Sequence, residues 1–368
     1  MRIEQVIVHE AALPLVRPFR TSFGTEYTKD VLLLEVTTSD GVVGWGECVA
    51  SPEPLYSHEF NAAALLVMRD HLLPRLLGKD ITAEDVPDLL GPVRGHPMAR
   101  GALELGVLDA QLRASGQSLA AYLGSTRTEI PCGVSVGIPD DDSLDTLLAE
   151  VEGYVAQGYQ RIKLKIQPGW DVVPTRAVRE RWPAMPLQVD ANQAYGRADI
   201  DHLCALDEFD LLLVEQPIHE EDLLGHKLLA DRMRTPVCLD ESVLSVDNAD
   251  SLIEYGACEI INIKAGRVGG YLSAKAIHDL GVRRGIPVWC GGMVETGLGR
   301  AANVALASLP GFTLPGDTSA SDRFFTQDIT EPFVMTDGMM TVPTGPGLGV
   351  TPIPEILAAL TTSTTRLV

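Results

Sequence analysis

Five charged residues recur along this chain at an almost constant interval. Lys165, Asp190, Glu215 and Asp240 are each 25 residues apart, and Lys264 follows after 24. Each stands at the end of a short apolar run. Three carboxylates converging from successive strands repel one another unless a cation lies among them. Oxygen-only ligation suits a hard divalent ion, so Mg²⁺ is the expected ion and Mn²⁺ the alternative. An acidic residue after a strand can instead cap the next helix. That reading serves for any one of the three, whereas three at equal spacing on consecutive units favour the metal.

The segment Arg161-Ile162-Lys163-Leu164-Lys165-Ile166 places two lysines on one face of a strand, because side chains alternate. On a surface strand this would be a solvated basic face. In a closed barrel neither face is free, and the lysines then point inward at the catalytic end. Lys264, in Asn262-Ile263-Lys264, is nearly opposite in an eight-unit barrel. A metal flanked by two lysines suits removal of the proton α to a carboxylate. That proton is weakly acidic because its loss builds a second negative charge on the same group, and a divalent ion stabilises the resulting enediolate. Neighbouring lysines and the metal are expected to lower the lysine pKa values, making a neutral amine available as base. Arg267 either adds to this effect on Lys264 or is a helix-start residue that binds nothing.

The elements that must hold these groups follow from the same interval. Cys132–Val136, Ile162–Ile166, Leu187–Val189, Leu211–Val214, Val237–Leu239, Ile260–Ile263 and Val288–Cys290 read as strands alternating with helical stretches. A period near 25 residues fits one strand, one helix and two short loops, the unit of a (β/α) barrel whose catalytic groups sit at the carboxyl ends of the strands. The preceding residues read as α+β. Ile3–Leu13 is a strand, Val31–Thr37 and Val42–Val49 form a hairpin around Ser39-Asp40-Gly41, and Met98, Ala102, Leu105, Leu108 and Leu112 make an apolar helix stripe. Arg17–Lys29 reads as a polar loop holding Phe19 and Phe23, which is either a lid over a ligand or a loop pinned to its own domain. After Asp317 the period is lost in a Gly- and Pro-rich tail. The expected organisation is an α+β capping domain over 1–125, with the tail 320–368 packing back on it, and a barrel over 126–319.

Composition bounds the ligand. The 368 residues carry 29 Lys plus Arg against 50 Asp plus Glu, a net charge of −21, and are 45% hydrophobic and 21% charged. Such a chain has ample apolar content for a large core. Its acidic exterior argues against nucleic-acid and anionic-membrane partners and leaves a small-molecule carboxylate, drawn to a locally basic pocket. Met1–Glu10 lacks the pattern of a signal peptide, and no apolar run is long enough to span a bilayer, so a cytoplasmic protein is expected. Six scattered cysteines without a C-x-x-C pair read as reduced core thiols. Gly133-Val134-Ser135-Val136-Gly137 matches G-x-S-x-G formally. A nucleophile elbow needs a helix directly after the serine, and Pro139 with three aspartates follows instead, so a serine hydrolase is set aside.

Lys163-Leu164-Lys165, Val189-Asp190-Ala191-Asn192, Val214-Glu215-Gln216-Pro217, Leu239-Asp240-Glu241-Ser242 and Asn262-Ile263-Lys264 resemble the enolase superfamily, in its muconate-lactonizing subgroup. Gly44-Trp45-Gly46-Glu47 and Gly101-Ala102-Leu103-Glu104 are similar to the same subgroup, so the resemblance spans nearly the whole chain. It implies a capping domain over a modified (β/α)7β TIM barrel, with Asp190, Glu215 and Asp240 as Mg²⁺ ligands and Lys165 and Lys264 as acid/base residues. Trp289–Thr296 and Pro315–Ser319 are most similar to o-succinylbenzoate synthases that also racemise N-succinylamino acids. This implies dehydration in menaquinone biosynthesis, racemisation, or both. Muconate cycloisomerisation on the same scaffold is the alternative, and a metal-binding barrel without catalysis a more distant one. Dipeptide epimerases of the subgroup usually carry Asp-x-Asp where Asp317 is followed here by Thr318 and Ser319, which counts against that activity. The resemblance also places Lys163, Asn192, Ser135, Phe19, Phe23, Tyr56, Gly291, Met293, Asp317 and Phe324 near the substrate, and it implies a homo-oligomer.

Overall fold

The computed structural model describes all 368 residues. Strands β1 (Ile3–Thr21), β2 (Gly24–Thr38) and β3 (Val43–Cys48) form an antiparallel sheet. The β2–β3 turn falls at the expected Ser39-Asp40-Gly41, where the Gly41 amide donates to the Thr38 carbonyl at 2.9 Å. Arg17–Lys29 differs from the expected loop. β1 runs on past Leu13, and Phe19, Arg20 and Thr21 pair with Glu26, Thr25 and Gly24 as the tip of a long hairpin. Its threonines and aromatics are good strand formers, and the register breaks between Pro14 and Phe19, where Pro14 and Pro18 lack the amide a ladder needs.

β3 lies directly on the helix Pro97–Ser115, with glycines where backbones touch. A Cβ on Gly44 would stand 2.2 Å from the Gly106 carbonyl oxygen, and one on Gly46 would stand 2.2 Å from that of Ala102. Only residues without a side chain permit this approach. The Trp45 amide between them donates to Asp109 Oδ2 at 2.8 Å, fixing strand against helix.

After β4 (Glu129–Pro131), seven strands form one parallel sheet in chain order: β5 (Gly133–Val136), β6 (Arg161–Lys165), β7 (Leu187–Asp190), β8 (Val214–Glu215), β9 (Val237–Leu239), β10 (Ile260–Ile263) and β11 (Val288–Cys290). The segment around Gly316 bridges the two edges. The Asp317 amide donates to the Cys290 carbonyl at 2.9 Å, and the Gly133 amide to the Gly316 carbonyl at 2.8 Å. A (β/α) barrel is thereby closed with this segment in the eighth position. Leu213, Cys238, Ile260 and Trp289 pack as a small apolar cluster inside, separate from the main core. Leu213 and Cys238 have the inward parity of Glu215 and Asp240 above them, and Ile260 that of Lys264.

The last residues enter two sheets. β12 (Met335–Thr336) and β13 (Met339–Thr341) extend β4, while β14 (Thr361–Arg366) pairs antiparallel with β1. Two carboxylates on the N-terminal side meet barrel helices at their starts. Glu47 Oε2 accepts from the Gly299 amide at 2.8 Å and Glu47 Oε1 from Thr296 at 3.0 Å, while Glu104 Oε1 accepts from Leu272 at 3.1 Å. An anion at a helix N-terminus satisfies unpaired amides and complements the dipole. No helix is long and apolar enough to cross a membrane. Gly46→Ala should destabilise the protein by about 1–3 kcal/mol through overpacking, measured by urea unfolding with thermal melting alongside. A variant as stable as wild type would contradict the close packing of β3 on the helix.

Candidate active site

Asp190 and Glu215 end β7 and β8, Asp240 follows β9, Lys165 ends β6 and Lys264 follows β10. All five are buried. Helix capping is done by other residues: Ser143, Asp171, Asp222, Ser245 and Thr296 accept the first free amides of the helices they precede. The three spaced carboxylates are thus left for another use. β6 and β10 are four strands apart in an eight-position barrel, so Lys165 and Lys264 approach from opposite sides.

The carboxylates do not close on a common point, because cations stand between them. Lys165 Nζ lies 2.6 Å from Asp190 Oδ2 and 2.6 Å from Asn192 Oδ1. Lys264 Nζ is 2.8 Å from Asp240 Oδ2 and 3.1 Å from the Tyr56 hydroxyl. Lys163 Nζ is 3.0 Å from Glu215 Oε2, 2.6 Å from Asp317 Oδ2 and 4.8 Å from the centre of the Trp289 ring. Arg267 donates to the Asp240 carbonyl and lies 2.9 Å from its Oδ1.

Electrostatics follow these distances. Burial raises Asp190, but the ammonium groups of Lys165 and Lys163 outweigh it and hold the carboxyl below its ordinary range. Glu215 moves the other way, lifted by burial and then by the charge of Asp190. Glu241 is also raised, by burial and then by Asp240 and Asp190. Burial favours a neutral Lys264, yet Asp240 and its neighbours prevail and set its pKa well above the ordinary lysine value. Lys163 is likewise raised against its burial, chiefly by Asp317 and Glu215. The paired carboxylates act against the expected depression, and at Lys163 and Lys264 they outweigh burial and the neighbouring cations.

The donor set fits a divalent ion. Asp190, Glu215 and Asp240 supply only oxygen, and the repulsions that lift Glu215 come from the other two. Glu241 Oε2 is buried without a hydrogen-bond donor, and Asp240 Oδ1 faces only the Arg267 guanidinium at 2.9 Å. Buried acceptors of this kind are satisfied by a cation.

A cavity above this network is lined by Phe19, Thr21, Phe23, Tyr56, Lys165, Asn192, Lys264 and Met293, among others. The structure therefore brings Phe19, Phe23, Tyr56, Asn192 and Met293 together with both lysines. Ser22 Oγ donates to the Asn192 carbonyl at 3.1 Å, tying the hairpin tip to the barrel mouth. Phe23 packs on Tyr56 with ring centres 5.7 Å apart. The other sequence candidates stand behind the wall. Phe324 packs edge-on against Phe19 at 5.9 Å. Lys163 and Asp317 pair beneath the cavity, with Arg161 Nη2 also 2.9 Å from Asp317 Oδ1. Gly291 gives room to Asn262, whose Oδ1 would stand 2.2 Å from a Cβ there. Ser135 lies within β5, its hydroxyl has no partner, and the next helix begins only at Leu144, so no nucleophile elbow exists.

Several site residues escaped the sequence reading. Arg161 shares the inward parity of Lys163 and Lys165, a signal present in the same strand. Glu241 accepts from Asn192 Nδ2 at 2.9 Å, and Asn262 Nδ2 donates to Glu215 Oε1 at 2.6 Å. Val294, on the cavity wall, has φ +58, a strained conformation for a β-branched residue of the kind concentrated at functional sites. Gln216, with φ +35, accepts through Oε1 from the amides of Asp240 at 2.9 Å and Ser242 at 3.1 Å. Its Nε2 lies 3.3 Å from His226 Nε2. Gln216 thus links the ends of β8 and β9.

Residues 2–124 match the family described as mandelate racemase / muconate lactonizing enzyme, N-terminal domain, and residues 146–356 match enolase C-terminal domain-like. The chain belongs to the enolase superfamily and is an enzyme. Among its relatives, an N-succinylamino acid racemase of an Amycolatopsis species is 59% identical over 99% of this chain and 98% of that protein. An o-succinylbenzoate synthase of Geobacillus kaustophilus is 47% identical, covering 95% of this chain and 93% of its own. A crystal structure of an enolase-superfamily member from Listeria innocua matches with a TM-score of 0.96 at 40% identity, over 100% of this chain and 99% of that one. Enolase-superfamily members generally use Mg²⁺.

His226 offers a test of the buried Gln216 link. Burial lowers its pKa from 6.5 to about 4, so the folded ring stays neutral. The unfolded chain binds the extra proton first. This group's contribution should therefore make stability fall as pH drops from about 6.5 towards 4. NMR should show the His226 ring neutral at about pH 5, and a ring titrating near the ordinary histidine value would contradict the buried arrangement.

Proposed function

We propose that this enzyme abstracts the proton α to a substrate carboxylate, acting as an o-succinylbenzoate synthase, an N-succinylamino acid racemase, or both. The observation that carries the reading is the placement of Lys165 and Lys264 on opposite sides of one cavity, each paired with a buried carboxylate of the spaced set. In this proposal Asp190, Glu215 and Asp240 hold Mg²⁺, with Mn²⁺ able to substitute. When bound there, the ion supplies positive charge against the second negative charge that builds on the substrate carboxylate.

Lys165 takes the α-proton onto Nζ, and Asn192 Oδ1 orients that amine. Lys264 acts as an ammonium. In dehydration it steadies the developing charge electrostatically while hydroxide leaves, so that the proton and hydroxide lost together amount to water and the ring becomes aromatic. In racemisation it returns a proton to the face opposite Lys165. Tyr56 holds Lys264 in place, and the aromatic walls of Phe19 and Phe23 exclude water from the proton-transfer step. Both reactions use the same groups, and relatives of both names support the pair over muconate cycloisomerisation.

Lys165→Ala should lower dehydration and racemisation by at least ~10²-fold, the scale of a positioned general base. Lys264→Ala should abolish racemisation. Turnover is measured side by side on the o-succinylbenzoate precursor, an N-succinylamino acid and muconate, with α-proton exchange followed in D₂O. Full racemisation by Lys264→Ala, or substantial turnover by Lys165→Ala, would refute the assignment. Activity confined to muconate would favour the cycloisomerase.

A further inference from the structure

Four lysines are buried in this protein: Lys29, Lys163, Lys165 and Lys264. The three in the barrel each pair with a carboxylate. Lys29 is only 3% exposed and makes neither a salt bridge nor a side-chain hydrogen bond. It sits on β2 opposite Leu13, where the hairpin leaves the sheet for the barrel mouth. Glu26 lines the same cavity but is not within ion-pairing distance. Its Nζ is an unpaired cation that keeps contact with the cavity space, where an anionic ligand can pair with it.

The location specifies the ligand. Lys29 lines the inner cavity alongside Lys165, Asn192 and Lys264, and also the outer mouth between the hairpin and Ser51–Tyr56. Lys29, Lys165 and Lys264 are the only cations on the inner wall. The proposed chemistry commits the two barrel lysines to the α-carbon. A dicarboxylate has a second carboxylate several bonds away, and Lys29 is the remaining cation for it.

We infer that Lys29 binds the remote carboxylate of a dicarboxylic substrate and so selects succinyl-bearing molecules over those with an uncharged acyl chain. This rests on the function proposed above, and it adds a residue of the capping sheet as the determinant of substrate charge. A charge-assisted hydrogen bond to this cavity-facing lysine forms on binding, and an uncharged chain of the same length leaves the ammonium without a partner.

The test compares N-succinyl-L-phenylalanine with N-butanoyl-L-phenylalanine, which has the same number of acyl carbons and no remote charge. Binding to the wild-type protein, Lys29→Met and Lys29→Arg is measured by calorimetry in magnesium buffer. Wild type should prefer the succinyl compound by about tenfold or more. Lys29→Met should lose that preference with its butanoyl affinity unchanged, and Lys29→Arg should keep most of it. No preference in wild type, an unchanged preference in Lys29→Met, or equal weakening of both ligands would overturn the assignment. Should Lys29→Met not fold, Lys29→Gln is read by the same comparison. Wild-type turnover is measured separately. A preference that depends on Lys29 without any racemisation or dehydration would sink the proposed function and leave the carboxylate site standing.

Discussion

Asp190, Glu215 and Asp240 end neighbouring strands with their side chains removed from water, and this placement is unfavourable unless positive charge lies among them. The barrel supplies that charge from the strands themselves. Lys163 and Lys165 come from β6, and Lys264 and Arg267 follow β10. Leaving any one carboxylate without its partner would cost about 3–5 kcal/mol, the scale for breaking a buried ion pair. Under the proposed function the same lysines act on the substrate. Pairing and chemistry thus share one set of groups, and a divalent ion entering the site would take over part of the balancing and leave the ammonium groups freer to face the ligand. Below this layer the interior turns apolar, with Trp289 as the floor on which Arg161 and Lys163 rest.

The capping sheet completes the site from the other side. Glu47 on β3 and Glu104 on the helix Pro97–Ser115 anchor these two elements on barrel helix starts, and the glycines of β3 let the sheet sit flush on that helix. One apolar cluster of 94 buried residues runs through both parts, so the hairpin tip is carried on a continuous core. Phe19, Phe23 and Tyr56 then stand over the lysines. The acidic total of −21 belongs to the exterior, while the cavity wall presents Lys29, Lys165 and Lys264. A carboxylate substrate is attracted locally by a protein that repels anions globally.

Much of this was legible in the order of residues. The spacing of Lys165, Asp190, Glu215, Asp240 and Lys264 reports strand ends because every unit repeats the same strand and helix. The alternation of Lys163 and Lys165 with Ile162 and Leu164 reports which side faces in. What stayed hidden depends on contacts between distant segments. The strand character of Arg17–Lys29 was masked by Pro18, Gly24 and polar residues that favour a loop reading. Lys29 carries no signal of its own in the sequence, because only the docked hairpin encloses it. The raised pKa of Lys264 depends on Asp240 at 2.8 Å, a distance no spacing reveals. Gln216 and His226 connect strand ends through side chains whose types carry no metal or catalytic signature.

The central claim is that Asp190, Glu215 and Asp240 together form one divalent-cation site. Calorimetric titration of Mg²⁺ into the wild-type protein and into Asp190→Asn, Glu215→Gln and Asp240→Asn tests it most directly, since each amide keeps the shape and removes the charge. One ion per chain in wild type, with binding weakened by at least ~10-fold in each variant, is the predicted result. Wild-type affinity retained in any of the three would contradict the account.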